Sequence, residues 1–311
     1  MKHFPFDSKF VMPKMPRAGL GHSMFTWAEA YRQYKLNEAT FIHPHWLRVR
    51  IGPYLRREKE KMLYRKIMKT PDWGMSPWQG RIILPLLKKV YDQGRHIENG
   101  QVLICTDNPP HSFEKFRGME AELRDALLSI SRVRSLTVMN TESPFVCVEY
   151  RSGDYKWIAE KSGFLALDKR TQRGLDKWIY TPLDFFVDAA KTVRDIAGWQ
   201  VPIVLSTDAH SEEITDLLGL GNVTLARDDS ALLKMLEMSK ASVTIMGSSN
   251  FAAWSWFLGS TLAVFPIGRQ SFLHGLGLVD RPQATYMFDD ETDLRTPPME
   301  KEIKLRLCSK R

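Results

Sequence analysis

Val201–Phe265, VPIVLSTDAHSEEITDLLGLGNVTLARDDSALLKMLEMSKASVTIMGSSNFAAWSWFLGSTLAVF, decides the fold of this chain. Short apolar runs at Pro202–Ser206, Asn222–Ala226, Ser242–Met246 and Thr261–Phe265 have the length and β-branched content of buried strands. Between them, Glu212–Leu218, Asp229–Ser239 and Phe251–Leu258 carry helical patterns. Strand and helix alternate over short connections, which predicts parallel βαβ units and an α/β sheet. Upstream, the strand Phe145–Tyr150 and the helix Pro182–Ala197 extend the pattern.

In such a sheet the loops after successive strands converge on one edge, where open α/β sheets bind ligands. The strand at Phe145 runs into Arg151-Ser152-Gly153-Asp154, with Glu149 two residues before the arginine; arginine presents a planar fork of donors suited to phosphate oxygens. The next strand ends in Ser206, Thr207, Asp208 and His210. A later one ends in Gly247, Ser248, Ser249 and Asn250, directly before a helix, where free backbone N–H groups and hydroxyls bind phosphate. Each group has a structural alternative: Arg-Ser-Gly-Asp as a surface turn, Ser248–Asn250 and Thr207–Asp208 as helix caps. No His or Glu stands at a spacing from His210 that makes a metal site, so none is predicted.

The first half is less regular. It predicts a strand at Phe10–Met12, a turn at Gly19 and Gly21, a helix at His22–Tyr34, a short apolar run at Glu38–Ile42 and a strand at Gln101–Thr106. A turn at Asp107–Pro110 and a helix at about Phe113–Ser131 follow, with Leu136–Met139 as a possible short strand. Leu55–Lys69 is rich in helix formers and cations, with its basic run at Arg56–Lys69; it reads as a solvated helix face or as a peripheral membrane contact. Pro71–Gly80, with Trp73 and Trp78, reads as an ordered loop. Gly19-Leu20-Gly21 is suited to close approach by phosphate or sugar, yet lacks the third glycine of a dinucleotide fingerprint and the Gly-Lys of a P-loop. The expected domains are 1–140, 141–285 and a polar tail at 286–311.

The chain has 311 residues, 43% of them hydrophobic, enough for two ordinary domains. Three cysteines without close spacing exclude a disulfide framework and a thiolate zinc site, and a reducing compartment fits. No signal-peptide pattern or bilayer-spanning run is visible, so a cytoplasmic location is expected. The net charge of +8 favours acidic partners. A nucleic-acid-binding protein is the weaker alternative, because the basic residues follow no recognition motif; no nucleic-acid partner is expected.

Four blocks, Gly19–Phe25 (GLGHSMF), Val148–Tyr155 (VEYRSGDY), Leu205–Asp208 (LSTD) and Gly247–Trp256 (GSSNFAAWSW), resemble in order the GLGNQMF, HIRRGDY, FSDD and NSSFSWW blocks of bacterial α-1,2-fucosyltransferases, over about residues 15–268. The resemblance implies a GT-B-like fold, two facing Rossmann-like domains with a nucleotide-sugar cleft. It also implies metal-independent, inverting transfer of fucose from GDP-fucose to a glycan hydroxyl, lipid-linked glycans included. Arg151 matches the family's essential arginine, Ser248 and Ser249 would bond phosphate, and Asp208 falls near a guanine-reading carboxylate. Asp154 and His22 are the candidates for catalytic base. Four positions depart from the pattern: the family's histidine is Glu149, its second arginine Ser152, its second aspartate Ala209, and the asparagine of GLGN is His22. These departures allow another nucleotide-sugar donor, or a member that binds without turnover.

Overall fold

The structure, a computed structural model, describes residues 7–16, 18–46, 68–91, 96–106, 111–132, 143–153, 180–226, 230–266, 275–278, 285–288 and 295–308. Asp154, the Asp107–Pro110 turn, Leu136–Met139 and most of the basic segment, 56–67, lie outside them. The chain forms two compact units, each built on a parallel sheet. Described residues up to 132 belong to the first, except for Ser112–Glu114, which join those from 143 onward in the second.

The first unit contains β1 (Phe10–Pro13), α1 (Leu20–Leu36), β2 (Thr40–Phe41), α2 (Pro77–Ile83), β3 (Lys88–Val90), β4 (Gln101–Cys105) and α3 (Glu120–Ile130), with strand order β2-β1-β4-β3. Alternation along β1 and β4 sends Phe10, Val102 and Ile104 to one face, where Ile42, Leu87 and residues of α2 cover them. On the other face, α1 packs against β1, β4 and β2 with Met24, Trp27 and Ala28 fully buried.

Several local readings change here. Gly21 lies inside the first turn of α1, and Gly19 alone is the N-cap. The segment read as a Trp-containing loop contains α2, started by a capping box in which Ser76 Oγ accepts from Gln79 N and Gln79 Oε1 accepts from Ser76 N. The helix expected from Phe113 is interrupted: a 3-10 turn at Glu114–Phe116 ends near Gly118, whose φ is +84°, and α3 begins at Glu120. β3 was missed because two of its three residues are lysines.

The second unit contains β5 (Val146–Tyr150), α4 (Leu183–Ala197), β6 (Ile203–Thr207), α5 (Thr215–Leu218), β7 (Val223–Leu225), α6 (Ala231–Met238), β8 (Val243–Met246), α7 (Asn250–Leu258), β9 (Leu262–Pro266), β10 (Thr285–Phe288) and α8 (Pro297–Cys308). Its strand order is β10-β9-β8-β5-β6-β7, all parallel. The chain runs outward from β5 through β6 to β7, returns to β8 on the other side of β5, and runs outward again. The order therefore reverses between β5 and β8.

Val146, Val148, Ile203, Leu205, Val243 and Ile245 face Phe186, Val193 and Ile196 of α4. Met299, Ile303 and Leu307 of α8 complete this core, so the stretch expected as a patternless polar tail contributes a packed helix. α7 is apolar on every side and is buried from Ala252 to Leu258; Phe113 stacks on its Phe257 at 4.5 Å and meets Trp254 edge-on at 4.8 Å. The expected helix at 212–218 is a 3-10 turn, Ser211–Ile214, followed by α5.

Candidate active site

The strand order of the second sheet reverses between β5 and β8, and the C-terminal edge at such a reversal is the place where doubly wound sheets bind ligands. β5 delivers Glu149 and Arg151 there, β6 delivers Ser206 and Asp208, and β8 delivers Gly247, Ser248 and Ser249. Glu149 pairs in register with Ser206 on one side and with Met246 on the other.

Asp208 organises the exit of β5. Its Oδ2 lies 2.9 Å from Arg151 Nε, and its Oδ1 accepts from Ser152 N at 2.8 Å. Glu213 adds a second tie, accepting from Ser152 Oγ at 3.3 Å and from His210 N at 3.1 Å. Gly153 is required by this arrangement, since a Cβ there would lie 2.7 Å from Asp208 Oδ2. The close approach at this glycine is thus made by the protein's own carboxylate. The Arg151 side chain is held at its root and remains 28% exposed.

Glu149 is buried, at 1% exposure, an unusual place for a carboxylate. Its Oε1 accepts from Ser249 Oγ at 3.1 Å, while its Oε2 has no partner among the described residues. Burial pushes its pKa up to about 7, against the pull of Arg151 and the Ser249 hydrogen bond, with Asp208 pushing in the same direction as burial. Ser249 is also the N-cap of α7, accepting from Ala252 N at 3.0 Å, so its hydroxyl is engaged as donor and acceptor. Ser248 Oγ, buried beside it, has no partner among the described residues, and neither does Thr181 Oγ1, which lies where a Cβ on Gly247 would approach it to 3.0 Å. Unsatisfied buried polar atoms are rare. Three lie together at this sheet edge, beside a cation and the first turn of a helix, whose free N–H groups and positive end favour negative charge. Asn250 opens α7 half-buried.

The remaining predicted residues are in the first unit. His22 lies in the first turn of α1, and its Nε2 is 3.1 Å from Nε2 of His111, which follows β4 and stacks on Phe25 at 4.8 Å. One imidazole of such a pair donates and the other accepts. Gly19 has no atom within 4 Å of the place a Cβ would take. Sequence reasoning missed Thr181, Glu213 and His111. Only Glu213 left a trace, as the third residue after the cap position His210. Among the described residues no group of three or more His, Cys, Asp or Glu is placed to hold a metal, and no described helix is long and apolar enough to cross a membrane.

No protein-family model matches the sequence, and no curated protein does. Solved structures do. Fucosyltransferase NodZ from Bradyrhizobium is 12% identical, with 81% of this chain and 94% of that chain covered and a TM-score of 0.41. POFUT1 in complex with GDP is 10% identical, with 83% and 98% covered and a TM-score of 0.47. The iron-containing dodecameric glycosyltransferase TibC from enterotoxigenic E. coli is 11% identical, with 96% and 72% covered and a TM-score of 0.39. Likenesses this distant leave the substrate to be argued from the residues of the site.

Proposed function

We propose that this chain is a glycosyltransferase that moves a sugar, fucose first among the candidates, from a nucleoside diphosphate donor of the GDP-fucose type to a glycan hydroxyl, without a metal and with inversion. The observation that carries the reading is the Asp208-held Arg151 at the end of β5, on the strand-order reversal whose other side, β8, runs into α7 through Ser248, its buried Oγ without a partner among the described residues. As the bond between the anomeric carbon and the β-phosphate oxygen breaks, negative charge builds on the departing diphosphate, where a fixed guanidinium, helix N–H groups and a hydroxyl stabilise it. The acceptor oxygen forms the new bond from the opposite face and gives its proton to a base, for which His22 and Asp154 are the candidates.

Asp208 carries a positioning role in this proposal, because its two oxygens already hold Arg151 and Ser152. Glu149 Oε2 is the acceptor left for an N–H or O–H of the donor. Glu149 in place of the family's histidine leaves room for a second reading, the same chemistry with another base or sugar, since a buried carboxylate takes a ligand group that donates, the guanine edge being one and a sugar hydroxyl another.

Thermal-shift and calorimetric titrations with GDP, UDP, ADP and CMP on the wild type and Arg151→Ala test the proposal. Selective binding of GDP that the variant loses, followed by release of GDP from GDP-fucose with an acceptor, supports it. Preference for another nucleotide replaces the donor, and binding of none overturns it.

A further inference from the structure

We propose that the outer face of α2 and the turn behind it form a docking surface for an anionic membrane. α2 is apolar on two sides. Inward, Gly80 lies against Ile42 so closely that any side chain there would collide with it, and Ile83 and Leu84 pack on the core of the first sheet. Outward, Trp78 is 67% exposed and Ile82, one turn on, is 73% exposed; Leu86 and Tyr91 continue the stretch at 56% each. Half of the eight large hydrophobic side chains found exposed in the described structure thus fall within these fourteen residues. A short helix apolar on both sides in a water-facing position needs a cover on its second side.

The charges around the face identify the cover. Between Asp72 and Asp92 the sequence holds Arg81, Lys88 and Lys89 and no carboxylate; in the alternation of β3, Lys89 shares the face of Val102 that α2 covers and Lys88 lies on the opposite one. All three cations are exposed, and the Arg81 guanidinium lies over the Trp78 ring at 5.1 Å. The indole of Trp78, the aliphatic tip of Ile82 and the guanidinium of Arg81 along α2, with Lys89 on the same side of the sheet, suit the boundary between acyl chains and anionic headgroups, where the ring inserts and the cations meet phosphate. A second copy of this chain would bring Arg81 and Lys89 against their own copies, since a symmetric interface pairs a patch with itself. The described surface requires none of the basic residues 56–67.

Flotation of the full chain with vesicles tests this, using phosphatidylcholine alone and phosphatidylcholine with about a third phosphatidylserine. The wild type should float with the anionic vesicles, less so as salt rises, and stay behind with the neutral ones. The double variant Trp78→Ser/Ile82→Ser should lose about tenfold or more in vesicle affinity. The triple variant Arg81→Glu/Lys88→Glu/Lys89→Glu should lose as much, with far-UV circular dichroism and melting unchanged because the replaced side chains are exposed. Should the double variant melt lower, the triple variant decides alone. Failure of the wild type to float, equal flotation of the triple variant, or a lipid-free dimer that Trp78→Ser/Ile82→Ser abolishes would each overturn the proposal.

Discussion

The two edges of the six-stranded sheet each hold an arginine, under opposite conditions. At the N-terminal edge Arg194 is fully buried, and its donors reach four carbonyls that precede β6 and β7. Nε bonds Val201 O at 3.0 Å, Nη1 bonds Leu220 O and Gly221 O at 2.8 and 2.7 Å, and Nη2 bonds Asn222 O at 2.9 Å. At the C-terminal edge Arg151 pairs with the Asp208 carboxylate, stays partly exposed, and has polar atoms beside it that find no partner among the described residues. The first satisfies the protein's own loops and the second is presented outward. What separates the two cations is the state of the polar atoms around them among the described residues: complete at one edge, incomplete at the other.

Substituting each arginine sharpens the contrast. Arg151→Ala should lower GDP affinity about 10- to 100-fold and transfer about a thousandfold, while the melting midpoint moves by about 2 °C or less. Arg194→Met should do the reverse. Four carbonyls lose their donors in a buried site, so stability falls by about 3 kcal/mol or more, read from urea unfolding, while folded protein binds GDP as before. A variant of Arg194 that unfolds normally but binds no nucleotide would break the comparison.

The next test concerns the cost of the incomplete edge. Glu149 has a folded pKa of about 7 against an ordinary 4.5, so between those values the folded state holds a proton that the unfolded state has released. Stability should therefore fall as pH rises through this window, by about 3 kcal/mol at most, and level off above it. Glu149→Gln should flatten that slope and be the more stable protein at alkaline pH. Parallel pH profiles of wild type and variant would contradict the assignment, whether or not either binds nucleotide.

The legible parts of this molecule are those in which one short segment carries its own signal. The strands β5, β6, β8 and β9 follow from apolar runs bounded by glycine and small polar residues, and Arg151 and Ser248–Asn250 follow from lying just past such runs. The strand order, which puts β5 beside β8, appears in no local pattern, and it is what joins Glu149 to Ser249 across 100 positions. The same holds for Glu213 with Ser152 and for His22 with His111, 61 and 89 positions apart. α8 was hidden differently: Met299, Ile303 and Leu307 do recur every four residues, but seven charged side chains between Glu300 and Arg311 obscure the stripe. α2 was obscured by prolines and tryptophans that read as a loop, although Ser76 and Gln79 have the spacing of a capping box.

The smallest expected effect isolates how the C-terminal edge is held. Gly153→Ala adds one methyl group 2.7 Å from Asp208 Oδ2, closer than a carbon and an oxygen can approach, so the carboxylate must move. That movement loosens both of its ties, to Arg151 Nε and to Ser152 N. Stability should drop by only about 1 kcal/mol, because Ser152 keeps its bond to Glu213, while GDP affinity falls about tenfold through an arginine that is present but no longer fixed. Asp208→Asn combined with Gly153→Ala should then cost little more than either change alone, since both act on the same support. Additive losses in that double variant would mean that Gly153 faces the ligand directly, and that the close approach at this turn belongs to the substrate and not to Asp208.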